Sequence, residues 1–254
     1  MQQDGKRGLE GKVAIVTGGA RNIGRAIVLA LAGEGAAVTV NARGDAAAAR
    51  AVAAEVEALG GRALPFVADV TDGAAVARMV EATVASFGRI DILVSNAALR
   101  RQTPFLEMGF AEWREILSVA LDGAFLMARA CVPHMIAAGG GAIVTLGGVS
   151  THVGTRNRVH VCAAKAGLEG LTRALAMELA GHGITVNCVA PGSIDTLRGA
   201  SAGARPGNLG ADGVPLRRMG RPEEIAAMVR HLCLPEGGYV TGQTVHVNGG
   251  LWMP

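Results

Sequence analysis

The chain has 254 residues, of which 50% are hydrophobic and 18% charged, and its formal net charge is +3. A chain this long and this apolar can bury a large core without disulfides or metals, which excludes intrinsic disorder and predicts one domain over 1–254. The small basic excess reads as a solvated surface, so neither nucleic acid nor an acidic surface is expected as a partner.

In chain order, short apolar runs alternate with longer amphipathic ones. Val13–Val16 reads as a buried strand closed by Thr17-Gly18-Gly19, and 22–34 as a helix with Ile23, Ile27, Ala30 and Leu31 on one face. Ala37–Val40 is a second strand, ended by Asn41-Ala42-Arg43-Gly44; 45–59 is an Ala-rich helix stopped by Gly60-Gly61. Ala63–Val67 is a third strand, and Asp72 is placed to cap a helix over 73–87. Strands at 90–94, 142–146, 184–189 and 244–247 follow, with helical stretches at 110–138 and 157–180 between them. This alternation predicts an α/β fold: a doubly wound parallel sheet of the Rossmann type, about seven strands, helices on both faces. The irregular stretch 193–220, rich in Gly, Arg and Pro, is expected to be a lid over a pocket rather than an idle connection.

Cys131, Cys162, Cys188 and Cys233 form no C-x-x-C pair, so neither a zinc cluster nor a redox motif is expected, and free thiols in a reducing cytosol are. Residues 1–12 carry charges and no apolar core, unlike a signal peptide. No run reaches the roughly 18 apolar residues of a membrane span. A cytoplasmic protein without a membrane partner is the expectation.

The turn Thr17-Gly18-Gly19-Ala20-Arg21-Asn22-Ile23-Gly24 lies between a strand and a helix. Glycine there lets backbone approach a pyrophosphate, and the helix start presents N–H groups and the positive dipole end to it. With these residues the chain resembles the short-chain dehydrogenase/reductase family, close to its 3-oxoacyl-carrier-protein reductase-like branch. The resemblance covers nearly the whole chain. The family turn Thr-Gly-x-x-x-Gly-x-Gly is matched at Gly18 and Gly24, with Asn22 at the middle glycine; Asn tolerates positive φ better than most residues. Asp69-Val70 matches the family's adenine contact. Asn96 and Ala97 match its Asn-Asn-Ala-Gly. Pro191-Gly192-Ser193-Ile194-Asp195-Thr196 is similar to the segment that holds the nicotinamide carboxamide. The resemblance therefore implies cofactor contacts at Gly18, Arg21, Asn22, Ile23, Gly24, Arg43, Asp69, Val70, Asn96, Lys165, Pro191, Gly192, Ile194 and Thr196. It also implies a homotetramer or homodimer acting on a small molecule.

Charge decides between the two nicotinamide cofactors. NAD sites usually carry an acid at the end of the second strand, where this chain has Asn41-Ala42-Arg43. Arg21 and Arg43 suit a 2′-phosphate, so NADP(H) is favoured over NAD(H), unless both arginines are merely exposed.

Family chemistry uses a Tyr to protonate the carbonyl oxygen, a Lys four residues on, a Ser to orient the carbonyl and a helix Asn. Lys165 keeps the Lys; the Tyr position is Val161, the Ser position Gly148 and the Asn position Ala120. The single tyrosine is Tyr239, in Tyr239-Val240-Thr241-Gly242, which through Asn248-Gly249-Gly250 matches the family's C-terminal consensus, so no shift of register restores the acid. Ordinary Ser–Tyr carbonyl reduction is therefore not expected, and Lys165 is kept as ribose anchor and local cation. His152 and His160 are the substitute acid–base candidates, with Ser150 beside them, although residues 160 and 161 point about 100° apart on a helix. Three functions stay open. The first is an NADP(H)-dependent oxidoreductase of altered chemistry, reducing an imine or activated C=C bond. The second is a non-redox lyase, dehydratase, isomerase or cyclase. The third is a non-catalytic cofactor-binding subunit.

Overall fold

The computed structural model describes residues 7–197 and 210–254. Seven parallel strands form one sheet: β1 (Val13–Val16), β2 (Ala37–Ala42), β3 (Ala63–Val67), β4 (Ile92–Ser95), β5 (Gly141–Leu146), β6 (Ile184–Pro191) and β7 (Thr244–Val247). Their spatial order is β3-β2-β1-β4-β5-β6-β7. The order reverses between β1 and β4, and ligands of open α/β sheets bind at the carboxyl ends of strands beside that switch.

The alternating pleat sends successive side chains to opposite faces. On one face Ala14, Val16, Ile92, Val94 and Val144 meet Ile27 and Leu31 of α1 (Asn22–Gly33), Val52 and Val56 of α2 (Ala46–Ala58), and Ile225 and Val229 of a helix at Pro222–Cys233. On the other, Ile15, Leu93, Ile143 and Val186 meet Val76 and Met79 of α3 (Gly73–Phe87), Met127, Cys131 and Met135 of the helix Gly123–Ala137, and Ala176 and Leu179 of Val159–Leu179. Full burial of each Val, Leu, Ile or Met side chain among them stabilises by about 1.5–3 kcal/mol. β3 carries Pro65, which its edge position tolerates because only β2 pairs with it.

Local chemistry sets the element ends. Asp72 accepts from the backbone N–H of Ala74 and Ala75, a cap worth about 1 kcal/mol. Asp45 caps α2 by accepting from Ala48 N. Buried Asp91 just before β4 accepts from Lys12, Arg89 and the backbone of Val13.

Several boundaries differ from expectation. β4 starts at Ile92 rather than 90, because Asp91 is spent on that polar cluster, and β6 runs on to Pro191, paired with β7. The stretch 110–138 is α4 (Phe110–Leu117), a π-helical turn at Ser118–Asp122 and α5 (Gly123–Ala137). By length and hydropathy alone this helix would qualify as a span, contrary to the expectation that none would; its apolar residues Met127, Cys131 and Met135 are packed beneath the sheet. A four-residue helix α6 (Ser150–Val153) and the helix at Pro222–Cys233, α8 after α7 (Val159–Leu179), were not expected. α8 begins with Pro at its first position and Glu224 accepting from Arg221 N, a signal that was present in Arg221-Pro222-Glu223-Glu224. Of the expected lid, 193–220, the stretch 198–209 lies outside the described residues. Its two ends are tied by a bridge between Ile194 and Gly220.

Candidate functional site

The first turn is built by backbone geometry. Gly18 has φ +60°, and a Cβ on Gly24 would lie 2.1 Å from the carbonyl oxygen of Gly18, so only glycine fits where α1 starts. Asn22, at the family's middle glycine, adopts φ +49°. Its amide donates to and accepts from the backbone of Leu197, at 3.0 and 2.9 Å, tying the turn to the chain leaving β6. Asn41 at the end of β2 is buried; its Oδ1 accepts from Gly18 N and its Nδ2 donates to the carbonyl of Ala68. Asn96, after β4, donates from Nδ2 to the carbonyls of Thr17 and Gly18, at 2.9 and 3.0 Å. Two asparagines from neighbouring strands thus lock the turn. A cradle that any Cβ would fill, opened toward a helix start, fits a dinucleotide diphosphate.

The turn borders a cleft of about 140 Å³ at the strand ends. Ile23, Asn96, Lys165, Pro191, Gly192 and Ile194 line it, together with Gly148 and Val161. Gly18, Arg21, Asn22, Gly24, Arg43, Asp69, Val70, Thr196 and Ala120 are not in its wall. Arg21 pairs with Asp45, and both are substantially exposed; Arg43 is exposed. Asp69 Oδ1 accepts from the backbone and hydroxyl of Thr71. Val70 packs against Gly123, where a Cβ would come within 2.7 Å of it. Ala120 is buried within the π-helical turn.

Lys165 donates from Nζ to the carbonyl of Leu146 at 2.5 Å. Burial pushes its ammonium down to about 8, with the nearby positive charge of Arg100 adding to the effect and Cys188 opposing it. Val161, one helical turn before it, presents an isopropyl group to the cleft. At Gly148 a Cβ would have ordinary contact only, with Ser150 Oγ at 3.7 Å. The hydroxyl of Ser150 therefore sits beside position 148. Tyr239 is fully exposed and outside the cleft wall. The hydroxyl groups in the wall belong to Ser150 and Ser193.

The two candidate histidines face elsewhere. His160 is fully buried; its Nδ1 accepts from Val161 N, and its Nε2 lies 3.2 Å from Glu112 Oε1. Its neighbour's turn toward the cleft points it away, as 100° per residue requires. His152 belongs to α6, not to a loop. It stacks on Trp252, meets His246 edge-on and lies 3.0 Å from Glu169. Neither imidazole lines the cleft. His246 is held below the ordinary histidine range by burial and by His152.

All four cysteines are free. Burial pushes the thiols of Cys131 and Cys233 up to about 12 and raises that of Cys188, which makes them poor nucleophiles. Sequence reasoning missed Arg100 and Arg158 in the cleft wall, since neither belongs to a motif. It named Ser150 as following the expected Ser position at Gly148.

The family described as enoyl-(acyl carrier protein) reductase matches residues 18–252. The chain is 40% identical over 246 residues to the 3-oxoacyl-(acyl-carrier-protein) reductases of Synechocystis sp. and Escherichia coli (strain K12), covering 96% of this chain and 98% of each relative. A solved 7 alpha-hydroxysteroid dehydrogenase, complexed with NADH and 7-oxo glycochenodeoxycholic acid, superposes with a TM-score of 0.91 at 31% identity over 98% of both chains. A short-chain type dehydrogenase/reductase from Mycobacterium marinum superposes at 0.89 with 36% identity, also over 98% of both.

Proposed function

The chain belongs to the short-chain dehydrogenase/reductase family of oxidoreductases, and we propose that it is an NADP(H)-dependent member working without the family's Ser–Tyr pair. The observation that carries this is Val161 in the cleft wall one turn before Lys165, with Gly148 in the same wall, while the dinucleotide turn that borders it is braced by Asn96. General acid catalysis contributes about 10²–10⁴-fold, and an isopropyl group supplies none of it. A substrate that needs no proton at the hydride step suits such a cleft. An iminium ion already carries the charge that protonation would create, and a polarised C=C bond spreads the incoming charge onto a distant atom.

The residues that would hold the dinucleotide are the turn 18–24, Asp69 and Val70 at the adenine end, Asn96 and Lys165 at the ribose, and Pro191, Gly192, Ile194 and Thr196 at the nicotinamide. The nicotinamide would supply or accept the hydride. Lys165 holds a proton at Nζ and donates it as a hydrogen bond. Ser150 Oγ donates toward the developing charge, and Leu146, Val149, Val161 and Ile194 exclude water from it. No acid stands in Asn41-Ala42-Arg43 at the end of β2, and Arg43 there, with Arg21 brought alongside by its pairing with Asp45, supports NADP(H) over NAD(H). A homotetramer or homodimer in the cytoplasm, acting on a small molecule, completes the reading.

Titration with NADPH and NADH, followed by turnover across imine, enone and ketone panels, tests it. NADPH is expected to bind at least about tenfold more tightly, with the preference lost in the Arg21→Ala, Arg43→Ala double variant. Imines or enones are expected to be reduced and simple ketones not. Product formed without dinucleotide would make the protein a lyase, dehydratase, isomerase or cyclase. Tight NADPH binding with no turnover on any panel would make it a cofactor-binding subunit.

A further inference from the structure

Glu169 stands on α7 one helical turn beyond Lys165, beside the buried residues Leu168 and Thr172, and is itself buried. A buried carboxylate loses hydration, and that loss must be offset by hydrogen-bond donors. Among the described residues the donors come from one place, the four-residue helix α6. Thr151 Oγ1 donates to Glu169 Oε1 at 3.0 Å, and His152 Nε2 lies 3.0 Å from the same oxygen. The Thr151 hydroxyl also reaches the carbonyl of Gly148, at 2.9 Å. Neither Glu169 nor His152 lines the cleft.

A helix this short does not hold its own orientation. Thr151 N donates to the carbonyl of Gly148, and His152 N and Val153 N donate to that of Val149, too few bonds to offset the cost of fixing the backbone. Side chains from elsewhere therefore decide how α6 is rolled about its axis. α7 grips it at two points: Cys162 Sγ donates to the carbonyl of Ser150 at 3.3 Å, and Glu169 takes Thr151 and His152. His152 is also stacked on Trp252, whose carbonyl accepts from Asn248 Nδ2 at 2.8 Å. Successive residues on a helix point about 100° apart. With Thr151 and His152 both turned to Glu169, Ser150 points away from His152 and joins the cleft wall. A roll of about 30° carries a hydroxyl roughly 4 Å from the axis through about 2 Å. A misplacement of about 1 Å can cost about 10²-fold in rate.

We propose that Glu169 is a positioning residue: through Thr151 and His152 it sets the roll of α6, and so the place of the Ser150 hydroxyl in the cleft. This rests on the proposed function for what that hydroxyl does, and goes beyond it in assigning what holds the hydroxyl there. Glu169 touches no reacting atom; its carboxylate acts from behind the wall.

Two measurements on the full chain test it. The first is amide exchange at Thr151, His152 and Val153, which needs no turnover. Exchange there is expected to be at least about tenfold faster in Glu169→Leu, and within about threefold of the parent in Glu169→Gln, whose amide oxygen still accepts from both donors. His152→Phe keeps a ring against Trp252 and leaves the carboxylate its Thr151 bond, so it shows a smaller acceleration even where Glu169→Leu fails to fold. The second is steady-state turnover of a substrate that the parent reduces. Glu169→Leu is expected to lower kcat about tenfold with KM held within about twofold, and Glu169→Gln to restore it. In a Ser150→Ala background Glu169→Leu is expected to cost nothing further, because the hydroxyl it positions is gone. Parental exchange at α6 in folded Glu169→Leu or His152→Phe overturns the proposal. So does a loss of kcat that is the same with and without the Ser150 hydroxyl. If Ser150→Ala leaves kcat unchanged, or nothing is turned over, the catalytic role of the hydroxyl falls; faster exchange at α6 then still shows that Glu169 holds it.

Discussion

The turn after β1 and the start of α7 border one cleft, yet they depend on side chains in different ways. The turn is held by backbone: Gly18 and Gly24 touch through atoms every residue has, and Asn41 and Asn96 brace it from two neighbouring strands. Replacing its middle glycine by Asn22 leaves a positive φ that asparagine tolerates, and even adds a tether to Leu197. The corner at Gly148, Val161 and Lys165 has no such redundancy. A proton donor there is one functional group on one side chain, and helix α7 runs unbroken through Val161 without it. Sites built from main chain absorb substitution; sites built from single functional groups do not.

The largest expected effect comes from reversing the difference at that corner. The double variant Val161→Tyr, Gly148→Ser is expected to gain ketone reduction by about 10²–10⁴-fold over the parent, the usual range for a positioned general acid. The geometry admits it: Gly148 has space for a Cβ, with Ser150 Oγ the nearest neighbour at 3.7 Å. Steady-state NADPH oxidation with a ketone panel is the measurement. A folded double variant that binds NADPH and shows no gain would mean that the corner is altered beyond its two side chains.

A smaller effect follows from Lys165, whose ammonium titrates near 8 because it is buried. If its proton supports turnover, kcat/KM is flat below that pH and falls about tenfold per unit above it. Lys165→Arg, which stays charged, is expected to flatten the profile. The same shift carries a sign for folding. Between about 8 and the ordinary 10.5 the unfolded chain binds this proton and the folded chain releases it. Stability contributed by this residue therefore rises with pH across that window, and the penalty is fully present below it. Urea unfolding from pH 7.5 to 10.5 is expected to show the rise in the parent and not in Lys165→Met.

Much of this contrast was legible in the sequence. Seven apolar runs of strand length gave the sheet, because strands buried on both faces must be apolar throughout. That no tyrosine lines the cleft among the described residues was legible too, since the chain's one tyrosine, Tyr239, lies in the C-terminal segment. What the sequence concealed were positions fixed by tertiary packing. His152 looked like a pocket residue by proximity to Gly148, and Trp252, about a hundred residues later, stacks on it and takes it out of the cleft. His160 gave no sign of Glu112, 48 residues earlier. Arg158 and Arg100 were invisible for the opposite reason: a cation acquires meaning only from the wall around it.

The smallest effect sharpens the comparison from the side of the turn. Asn22→Gly restores the family glycine and removes two hydrogen bonds to Leu197. Each bond is worth about 0.5–1.5 kcal/mol net, and both lie on an exposed surface where water replaces them, so the low end of that range applies. At φ +49° glycine is the less strained residue, which offsets part of the loss. NADPH affinity is expected to change by less than about threefold and the melting temperature by less than about 2 °C. Residues 195–197 should respond instead, with faster amide exchange, because the tether of Leu197 to Asn22 is gone. A loss of dinucleotide binding in Asn22→Gly would show that the turn, like the proton site, hangs on one side chain, and the distinction between the two regions would fall.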